Sequence, residues 1–346
     1  MLTSKQKPQI TTVIPTFQRP ESLRQAIQSV LEQTYPYLKI CVYDNASGDE
    51  TIDVVHEIAK YDSRVCYHCH DNNIGSIPNF NFGMKQVDTP YFTLLSDDNT
   101  LVPNFFENAI EILNHEKEAI FFAGETIISN KKGQKISSSL HNWDEGLIYP
   151  PNGLVDIWER GIPTWESVLF RKEAIDSVGF LDPEVFGSAD QYFMMKLARK
   201  HIFVVKKIPS AIYVCHAESL TFNRDLEEAV SSLKKILRHW QGDAGLSEDI
   251  LIRIRREYLK VVRNWITTYI YNGAIIGNNQ EVIHKSRAII KKDLDFSFKL
   301  IRILYLAELA NSNHVFKKSI AKLLSCYINI KRNFQIYKNN FRLKTK

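Results

Sequence analysis

Two adjacent aspartates follow an apolar run in the segment LLSDDNT, residues 94–100. No lysine or arginine occurs between Lys85 and Lys117, so the neighbouring sequence offers these carboxylates no positive charge. Paired carboxylates suit Mg²⁺ or Mn²⁺, which proteins hold through one or two carboxylates together with substrate phosphates. Such a metal stabilises the charge that develops on a departing diphosphate. We therefore expect Mn²⁺ or Mg²⁺ to supply the missing positive charge, with a nucleoside diphosphate as the third participant.

A further aspartate, Asp44, ends the apolar segment LKICVYD and precedes the loop NASGDE. A single aspartate at such a point is more often a turn former or a helix cap than a ligand. We expect the strand that ends at Asp44 to lie beside the strand that ends at Asp97 and Asp98. Two acidic strand ends side by side favour a binding site.

The elements that must position these side chains alternate between strand and helix patterns. Such alternation predicts a parallel sheet covered by helices on both faces, with ligands beyond the carboxyl ends of the strands. The site is therefore expected among the loops at 15–20, 44–49 and 96–100. In chain order the segments are QITTVIP, SLRQAIQSVLEQ, LKICVYD, ETIDVVHEIAKY, RVCYHCH, a helix at about 76–87, YFTLLSD and NFFENAIEILNH.

The second half of the chain is less regular between residues 119 and 160 and becomes helical from residue 225. Residues 225–346 carry 23 Lys and Arg against 11 Asp and Glu, a net charge of +12, whereas the preceding residues carry 21 against 28, a net charge of −7. We therefore predict an α/β domain over residues 1–224 and a basic α-helical region over residues 225–346. The intervening segments read as IFFAGETIIS (strand), WESVLFRKEAIDSVG (strand and helix), DQYFMMKLARK (helix), and IFVVKKIP with AIYVCH (a pair of strands).

Five segments in order resemble glycosyltransferase family 2, a family of inverting nucleotide-sugar transferases with the GT-A fold. They extend over about residues 9–220 and are VIPTFQRPESLRQAIQSVLEQTYP, YDNASGDET, NNIGSIPNFNFGM, LLSDDNTLVPNF and VGFLDPEVFGSADQYFMMKLARK. The resemblance implies a GT-A catalytic domain at residues 1–224, with a mostly parallel, Rossmann-like sheet flanked by helices. It also implies a nucleoside-diphosphate sugar as donor, with a UDP-sugar favoured.

The resemblance assigns contacts with the nucleotide sugar to the loops at the strand ends. In this family the first loop and the aspartate of the second hold the nucleotide, which makes Asp44 an acceptor for the base. The central aspartate of the acidic motif lies near the donor ribose. The residues implied are Pro15, Thr16, Phe17, Arg19, Asp44, Asn73, Asn79 and Asp97.

The resemblance also implies the metal ligands. Alignment on Pro103 places Ser96, Asp97 and Asp98 over the family's Asp-x-Asp triplet, so Asp98 is the implied ligand and Ser96 departs from the pattern. His216 matches a position that sometimes faces the metal or the diphosphate, and a lone histidine is more often structural.

The family's Glu-Asp pair reads Ala189-Asp190 here, so its first member is missing. The resemblance implies that Asp190 is the general base that removes the proton of the acceptor hydroxyl. The alternative is a helix N-cap, because Asp190 directly precedes the helix pattern QYFMMKLARK. Both roles are compatible, since a cap fixes the position of the carboxylate.

Other residues have two interpretations. Trp165 suits either a sugar ring or the core, and Arg224 suits either a phosphate or solvent. Cys66 and Cys69, with His68 and His70 close by, have the spacing of half a zinc site, but the segment RVCYHCHD alternates as a strand does.

Basic and apolar residues interleave throughout residues 225–346, which suits an anionic membrane surface. A helical bundle packed on the catalytic domain or on a second copy is the alternative, and nucleic acid is not expected because no recognised motif accompanies the charge. The chain shows no signal-peptide pattern and no stretch of about 18 uncharged apolar residues. We therefore expect a cytoplasmic protein, which the first of these two alternatives would place peripherally at the inner face of the plasma membrane.

These features favour a metal-dependent inverting glycosyltransferase that moves a sugar to a hydroxyl of a glycan or lipid-linked acceptor in cell-surface polysaccharide synthesis. A nucleotidyltransferase acting on sugar phosphates is one alternative, although its usual Gly-rich basic loop is replaced here by PTFQRPES. A non-catalytic partner subunit is the other, with Ser96 and Ala189 as signs of decay. Retention of Asp98 and Asp190 argues against it.

Overall fold

The computed structural model describes residues 9–130, 133–215, 225–270, 280–293 and 303–307. The chain forms two compact units that divide between residues 216 and 217. The predicted boundary at residue 224 falls in a stretch outside the described residues and stays a prediction.

The first unit begins with alternating strands and helices, as the sequence predicts. The apolar faces of the helices are buried, for example Leu23, Ala26, Ile27 and Val30 of the first helix. Burial of each side chain of Leu or Val size contributes roughly 1.5–3 kcal/mol. The elements are β1 (Ile10–Thr16), α1 (Pro20–Leu31), β2 (Leu38–Asp44), α2 (Thr51–Ala59), β3 (Val65–Cys69), α3 (Ser76–Lys85), β4 (Tyr91–Leu94), β5 (Thr100–Leu101) and α4 (Phe105–His115).

The rest of the first unit differs from the sequence reading in two places. The predicted strand pair is one strand, β10 (Ile202–Cys215), whose pairing with β6 (Ala119–Asn130) shifts in register between Val205 and Ala211. The stretch read as less regular contains two short strands and a helix in addition to the predicted strand. The elements are β6 (Ala119–Asn130), β7 (Lys135–Ser138), β8 (Gly146–Ile148), α5 (Asn152–Arg160), β9 (Val168–Arg171), α6 (Glu173–Val178), α7 (Ala189–Lys200) and β10 (Ile202–Cys215).

One mixed sheet connects these strands in the order β3-β2-β1-β4-β9-β6-β10-β5, with β7 on β6 and β8 on β10. The pairs among β1 to β4 are parallel, and so is β6 with β10. Strand β9 runs antiparallel to both β4 and β6 and joins the two parallel parts. Because β1 lies between β2 and β4, the expectation that the strands ending at Asp44 and Asp97 are neighbours is wrong.

Strand β1 is buried at every position, and helix α3 approaches it closely at Gly83. A Cβ atom on Gly83 would lie 2.5 Å from Val13 Cγ1 and 2.8 Å from Tyr43 Cδ2. Only a residue without a side chain fits at this distance, so Gly83 sets how near α3 lies to β1 and β2.

The second unit is helical where the structure describes it, as predicted. It contains α8 (Leu226–Gln241), α9 (Glu248–Tyr269) and α10 (Gln280–Asp293). Asp225 caps α8, since its Oδ1 accepts from the backbone N–H groups of Glu227 and Glu228 at 2.9 and 3.0 Å. Among the described helices of the chain, none combines the length and the apolar character that crossing a membrane requires.

Candidate active site

The two aspartates of LLSDDNT occupy the centre of a tight turn beyond β4, here called the acidic turn (residues 96–99). The turn closes through the backbone N–H of Asn99, which donates to the Ser96 carbonyl at 3.1 Å. Strand β4 ends at Leu94, so the acidic turn lies beyond the carboxyl end of a central parallel strand, where ligands bind in such sheets.

Asp97 and Asp98 face the loop that follows β1. Asp97 accepts from Thr16 Oγ1 at 2.8 Å and from Arg19 Nη1 at 3.1 Å. The same Arg19 nitrogen donates to Asp98 Oδ2 at 2.8 Å. Burial raises the pKa of Asp97 to about 6, Asp98 adds to the rise, and Arg19 opposes it. The positive charge beside the two aspartates is therefore the guanidinium of Arg19, which lies almost 80 residues earlier in the chain. The sequence had suggested a metal ion as the source of this charge.

Asp44 lies in a separate hydrogen-bonded arrangement at the end of β2. Its Oδ1 accepts from the backbone N–H and the hydroxyl of Ser47, and its Oδ2 accepts from Tyr67 Oη at 2.6 Å. Burial and then the bond to Asp44 raise the pKa of Tyr67. The carboxylate is thus held in one orientation, and its contact with a base stays a prediction.

The first two loops are joined through Gln18 and Ser47. The backbone N–H of Gln18 donates to Ser47 Oγ at 2.8 Å, and Gln18 Nε2 donates to the Ser47 carbonyl at 3.2 Å. Gln18 and Ala46 have φ angles of 54° and 61°, a backbone region that residues other than glycine rarely adopt. The loop pair therefore has a defined, strained conformation at the edge of the site.

The two asparagines predicted to bind the nucleotide sugar serve the loops. Asn73 Oδ1 accepts from Asn45 Nδ2 at 2.9 Å. Asn79 is buried, and its amide bonds the Tyr43 carbonyl at 2.8 Å and His70 Nε2 at 3.0 Å. These contacts hold the loop after β2 to the segment before α3, and α3 to the end of β2, and direct contact of either asparagine with a ligand stays a prediction.

Of the remaining first-loop residues, Pro15 and Thr16 are buried in β1, whereas Phe17 is 39% exposed. An exposed aromatic ring beside the loops offers a face on which a base or sugar ring can stack. Of these three residues, only Phe17 is therefore substantially accessible to a ligand.

Asp190 is the second residue of α7, and its Oδ1 accepts from the backbone N–H of Gln191 at 2.7 Å. The N-cap position belongs to Ser188, so the N-cap interpretation of Asp190 is wrong. The carboxylate lies in the first turn, where the helix dipole stabilises its ionised form. The general-base role stays a prediction.

Glu166 is a functional candidate that the sequence analysis missed. It is buried, and its Oε1 accepts from Ser96 Oγ at 3.0 Å, Asn99 Nδ2 at 3.0 Å and Trp165 Nε1 at 2.9 Å. Burial raises the pKa of Glu166 to about 7, and the charge of Asp190 contributes to the rise. The only sequence signal for Glu166 is a lone acidic residue in the mostly polar stretch PTWES.

Trp165 packs against Phe80 of α3 with ring centroids 4.5 Å apart. His216 and Arg224 lie outside the described residues. No three His, Cys, Asp or Glu side chains come together in a metal-binding arrangement within the described ranges. The segment with the spacing of half a zinc site is strand β3, where His68 stacks on Phe82 at 4.6 Å while Cys66 and Cys69 are exposed.

Comparison with solved structures defines the class of fold. TarS residues 1–349 of S. aureus in complex with UDP superposes with a TM-score of 0.58 at 14% identity, covering 79% of this chain and 76% of that one. The mannosyltransferase PcManGT of Pyrobaculum calidifontis, in complex with GDP-Man and Mn²⁺, gives 0.55 at 13% identity, covering 94% and 88%. The fold is the GT-A fold.

Sequence comparison defines the family. Residues 11–179 match the family described as glycosyl transferase family 2, and this region of the chain belongs to that family. An uncharacterized glycosyltransferase of Rickettsia typhi is 32% identical over 126 residues, which are 36% of this chain and 38% of the relative. The GalNAc(5)-diNAcBac-PP-undecaprenol beta-1,3-glucosyltransferase of Campylobacter jejuni is 31% identical over 115 residues, 33% of this chain and 37% of the relative. The matched regions thus span well under half of these relatives.

Proposed function

We propose that the protein is a metal-dependent inverting glycosyltransferase that moves a sugar from a nucleoside-diphosphate sugar to a hydroxyl of a glycan or lipid-linked acceptor in cell-surface polysaccharide synthesis. The observation that carries this proposal is the acidic turn, whose Asp97 and Asp98 lie beyond a central strand and contact the first loop through Thr16 and Arg19. Family membership and the undecaprenol-linked acceptor named for the Campylobacter jejuni relative support it.

The residues present fit a divalent metal on one condition. Mn²⁺ and Mg²⁺ in nucleotide sites need only one or two protein carboxylates, because phosphates and waters complete their coordination. Asp98 can be that ligand, with a side chain 13% exposed, once its Oδ2 exchanges the hydrogen bond from Arg19 for the metal. When bound, the metal supplies Lewis-acid stabilisation of the leaving diphosphate. His216 is the second proposed ligand.

The chain's own residues are proposed to divide the remaining tasks. The first loop holds the nucleotide together with Asp44, and Asp97, already fixed by Thr16, lies near the ribose. Arg19, which lies between these carboxylates and the first loop, is proposed to pair with the diphosphate, whose oxygens suit a guanidinium.

Asp190 is proposed to accept the proton of the acceptor hydroxyl while that oxygen attacks the anomeric carbon from the face opposite the diphosphate. The bond between the anomeric carbon and the diphosphate oxygen breaks in the same step, and its electron pair leaves with the diphosphate. Configuration is inverted because one displacement occurs. The position of Asp190 in the first turn of α7 supports this role, since the helix gives the carboxylate a defined place from which to accept a proton.

The proposal is tested with purified protein, a panel of nucleotide sugars and Mn²⁺. A thermal-shift screen identifies the donor, because a ligand that binds only the folded state raises the melting temperature. The protein then hydrolyses that donor slowly, and Asp98→Ala abolishes the hydrolysis. Unchanged activity in Asp98→Ala contradicts the metal assignment, and a donor panel without binding or turnover favours a non-catalytic subunit. Release of inorganic diphosphate from a nucleoside triphosphate and a sugar phosphate favours a nucleotidyltransferase.

The basic C-terminal region is proposed to bind an anionic membrane surface or a second copy of the chain. Its support is the net charge of +12 over residues 225–346. Co-sedimentation with vesicles that contain an anionic lipid, compared with neutral vesicles, and the mass in solution distinguish these two roles.

A further inference from the structure

The carboxylate of Glu166 joins both ends of the acidic turn. Ser96 begins the turn and Asn99 ends it, and each donates a side-chain hydrogen bond to Glu166 Oε1 at 3.0 Å. The backbone bond from Asn99 to Ser96 closes the same turn. Asp97 and Asp98 are its two central residues, so their positions depend on a turn whose two ends are attached to one buried oxygen.

The other side of Glu166 is attached to a different part of the fold. Trp165 Nε1 donates to the same oxygen at 2.9 Å, and the Trp165 ring packs on Phe80 of α3. Helix α3 in turn is fixed against β1 through Gly83. The acidic turn is thereby connected to the sheet through Glu166 as well as through the chain that follows β4.

Ser96 is the residue at which the acidic motif departs from the family pattern. Its hydroxyl is the donor to Glu166, which is a role that an aspartate in ionised form cannot take. An aspartate here would place a second carboxylate within hydrogen-bonding distance of a buried one, and like charges so close disfavour ionisation of both. Serine at 96 and glutamate at 166 therefore suit each other, whereas carboxylates at both positions would repel.

We propose that Glu166 is the positioning residue of the acidic turn, and that Ser96 and Glu166 form a matched pair in which the carboxylate missing at 96 is supplied from 166. This inference rests on the proposed function for its consequence in catalysis. It also explains the serine at position 96 without a loss of activity, because a carboxylate is present at Glu166 and is hydrogen-bonded to Ser96.

The energetic setting agrees with a role in the site. A buried carboxylate is costly even when it is hydrogen-bonded, and an amide or apolar residue of similar size usually packs at lower cost. Burial raises the pKa of Glu166 to about 7, so at neutral pH the side chain is partly ionised and the cost of burying its charge is partly incurred. A group that served only packing would have little reason to be a carboxylate.

A double-mutant cycle tests the pair, using Ser96→Asp, Glu166→Gln and the double variant in the full chain. Glu166→Gln is expected to lower turnover of the donor about tenfold without lowering the melting temperature, since the amide oxygen still accepts but attracts its donors less strongly. Ser96→Asp is expected to lower the melting temperature and to lower turnover about 100-fold, because small displacements of reacting groups have effects of this size. The double variant is expected to recover at least about tenfold of that loss.

Glu111→Gln is the matched control, because Glu111 is exposed on α4 and lies outside the site. It is expected to match the wild type in every measurement. If Ser96→Asp does not fold, Ser96→Ala combined with Glu166→Gln provides the same cycle without an added charge.

The proposal is overturned if the loss of turnover in the double variant equals the product of the losses in the two single variants, or if Glu166→Gln has wild-type turnover. The melting temperatures and the affinity for Mn²⁺ alone are measured on the same proteins. If the wild type turns over no donor, the proposed function fails, while these two measurements still decide whether Ser96 and Glu166 are coupled and whether they hold the acidic turn.

Discussion

On the proposed role of Asp98 as a metal ligand, Arg19 competes with the metal for that carboxylate, and Arg19→Gln is predicted to strengthen the binding of Mn²⁺ to the protein without nucleotide. In the structure, Arg19 Nη1 donates to Asp98 Oδ2 at 2.8 Å and to Asp97 Oδ1 at 3.1 Å. Mn²⁺ at Asp98 has to break the shorter bond and then lies close to the displaced guanidinium charge. Glutamine removes the charge and leaves the Asp98 carboxylate to the metal.

The size of the effect follows from the bond that is exchanged. Hydrogen bonds to charged groups contribute about 1.5–3 kcal/mol. The Arg19 side chain is 32% exposed, so solvent screening places the value near the lower end. A difference of about 1.4 kcal/mol is tenfold in affinity, and we therefore expect Mn²⁺ to bind Arg19→Gln about ten times more tightly than the wild type. The sign is the sharper part of this prediction, because loss of an ordinary binding residue weakens the ligand.

Titration calorimetry or the electron paramagnetic resonance signal of free Mn²⁺ measures the affinity directly. Arg24→Gln is the control, since Arg24 lies on α1 and forms an exposed ion pair with Glu57 at 2.7 Å. Asp98→Asn should abolish the Mn²⁺ site in either background. Affinity that is unchanged or weaker in Arg19→Gln, with Arg24→Gln at the wild-type value, refutes the reasoning that the guanidinium occupies the position of the metal.

Three further predictions concern the base, the buried carboxylate and the core. Asp190→Asn should lower kcat by about 10²–10⁴-fold with little change in donor affinity, measured by steady-state kinetics and donor titration, because it removes a proton acceptor and no donor contact. The pKa of Glu166 is raised from 4.5 to about 7, so between these pH values the folded state keeps a proton that the unfolded chain releases. The free energy of unfolding of the wild type therefore falls as pH rises through this window. Glu166→Gln lacks this loss, and its advantage over the wild type in urea unfolding should grow by up to about 3 kcal/mol between pH 5 and pH 8. Gly83→Ala should cost roughly 1–3 kcal/mol in the same measurement, because its Cβ would lie 2.5 Å from Val13 Cγ1.

The sequence predicts the elements around the site because their determinants are local. The segment LKICVYD is apolar and β-branched and is observed as β2, Leu38–Asp44, with its end at the predicted aspartate. Helix α1 begins at Pro20, which the fixed φ of proline favours at the first helical position. The family motifs likewise place the acidic turn and α7 correctly, since they are contiguous in the chain.

The contacts within the site depend on distances along the chain that periodicity does not encode. The guanidinium that faces Asp97 and Asp98 comes from Arg19, and a search of the neighbouring sequence for positive charge could not find it. Glu166 was missed for a related reason, because a single glutamate in a polar stretch is ordinarily exposed and its burial follows only from packing. The order of β2, β1 and β4 in the sheet is also a long-range property, and it separates two acidic loops that the sequence alone suggested were adjacent.

The bonds between Gln18 and Ser47 bear on how donor preference changes in evolution and in engineering. Ser47 bonds both Asp44, the predicted acceptor for the base, and the backbone of Gln18, two residues beyond Thr16. A substitution in one loop alone breaks contacts in the other, so variation at residues 18, 44 and 47 should be correlated among homologues. For the same reason, a graft intended to alter nucleotide choice should transfer residues 15–20 and 44–49 together as one block.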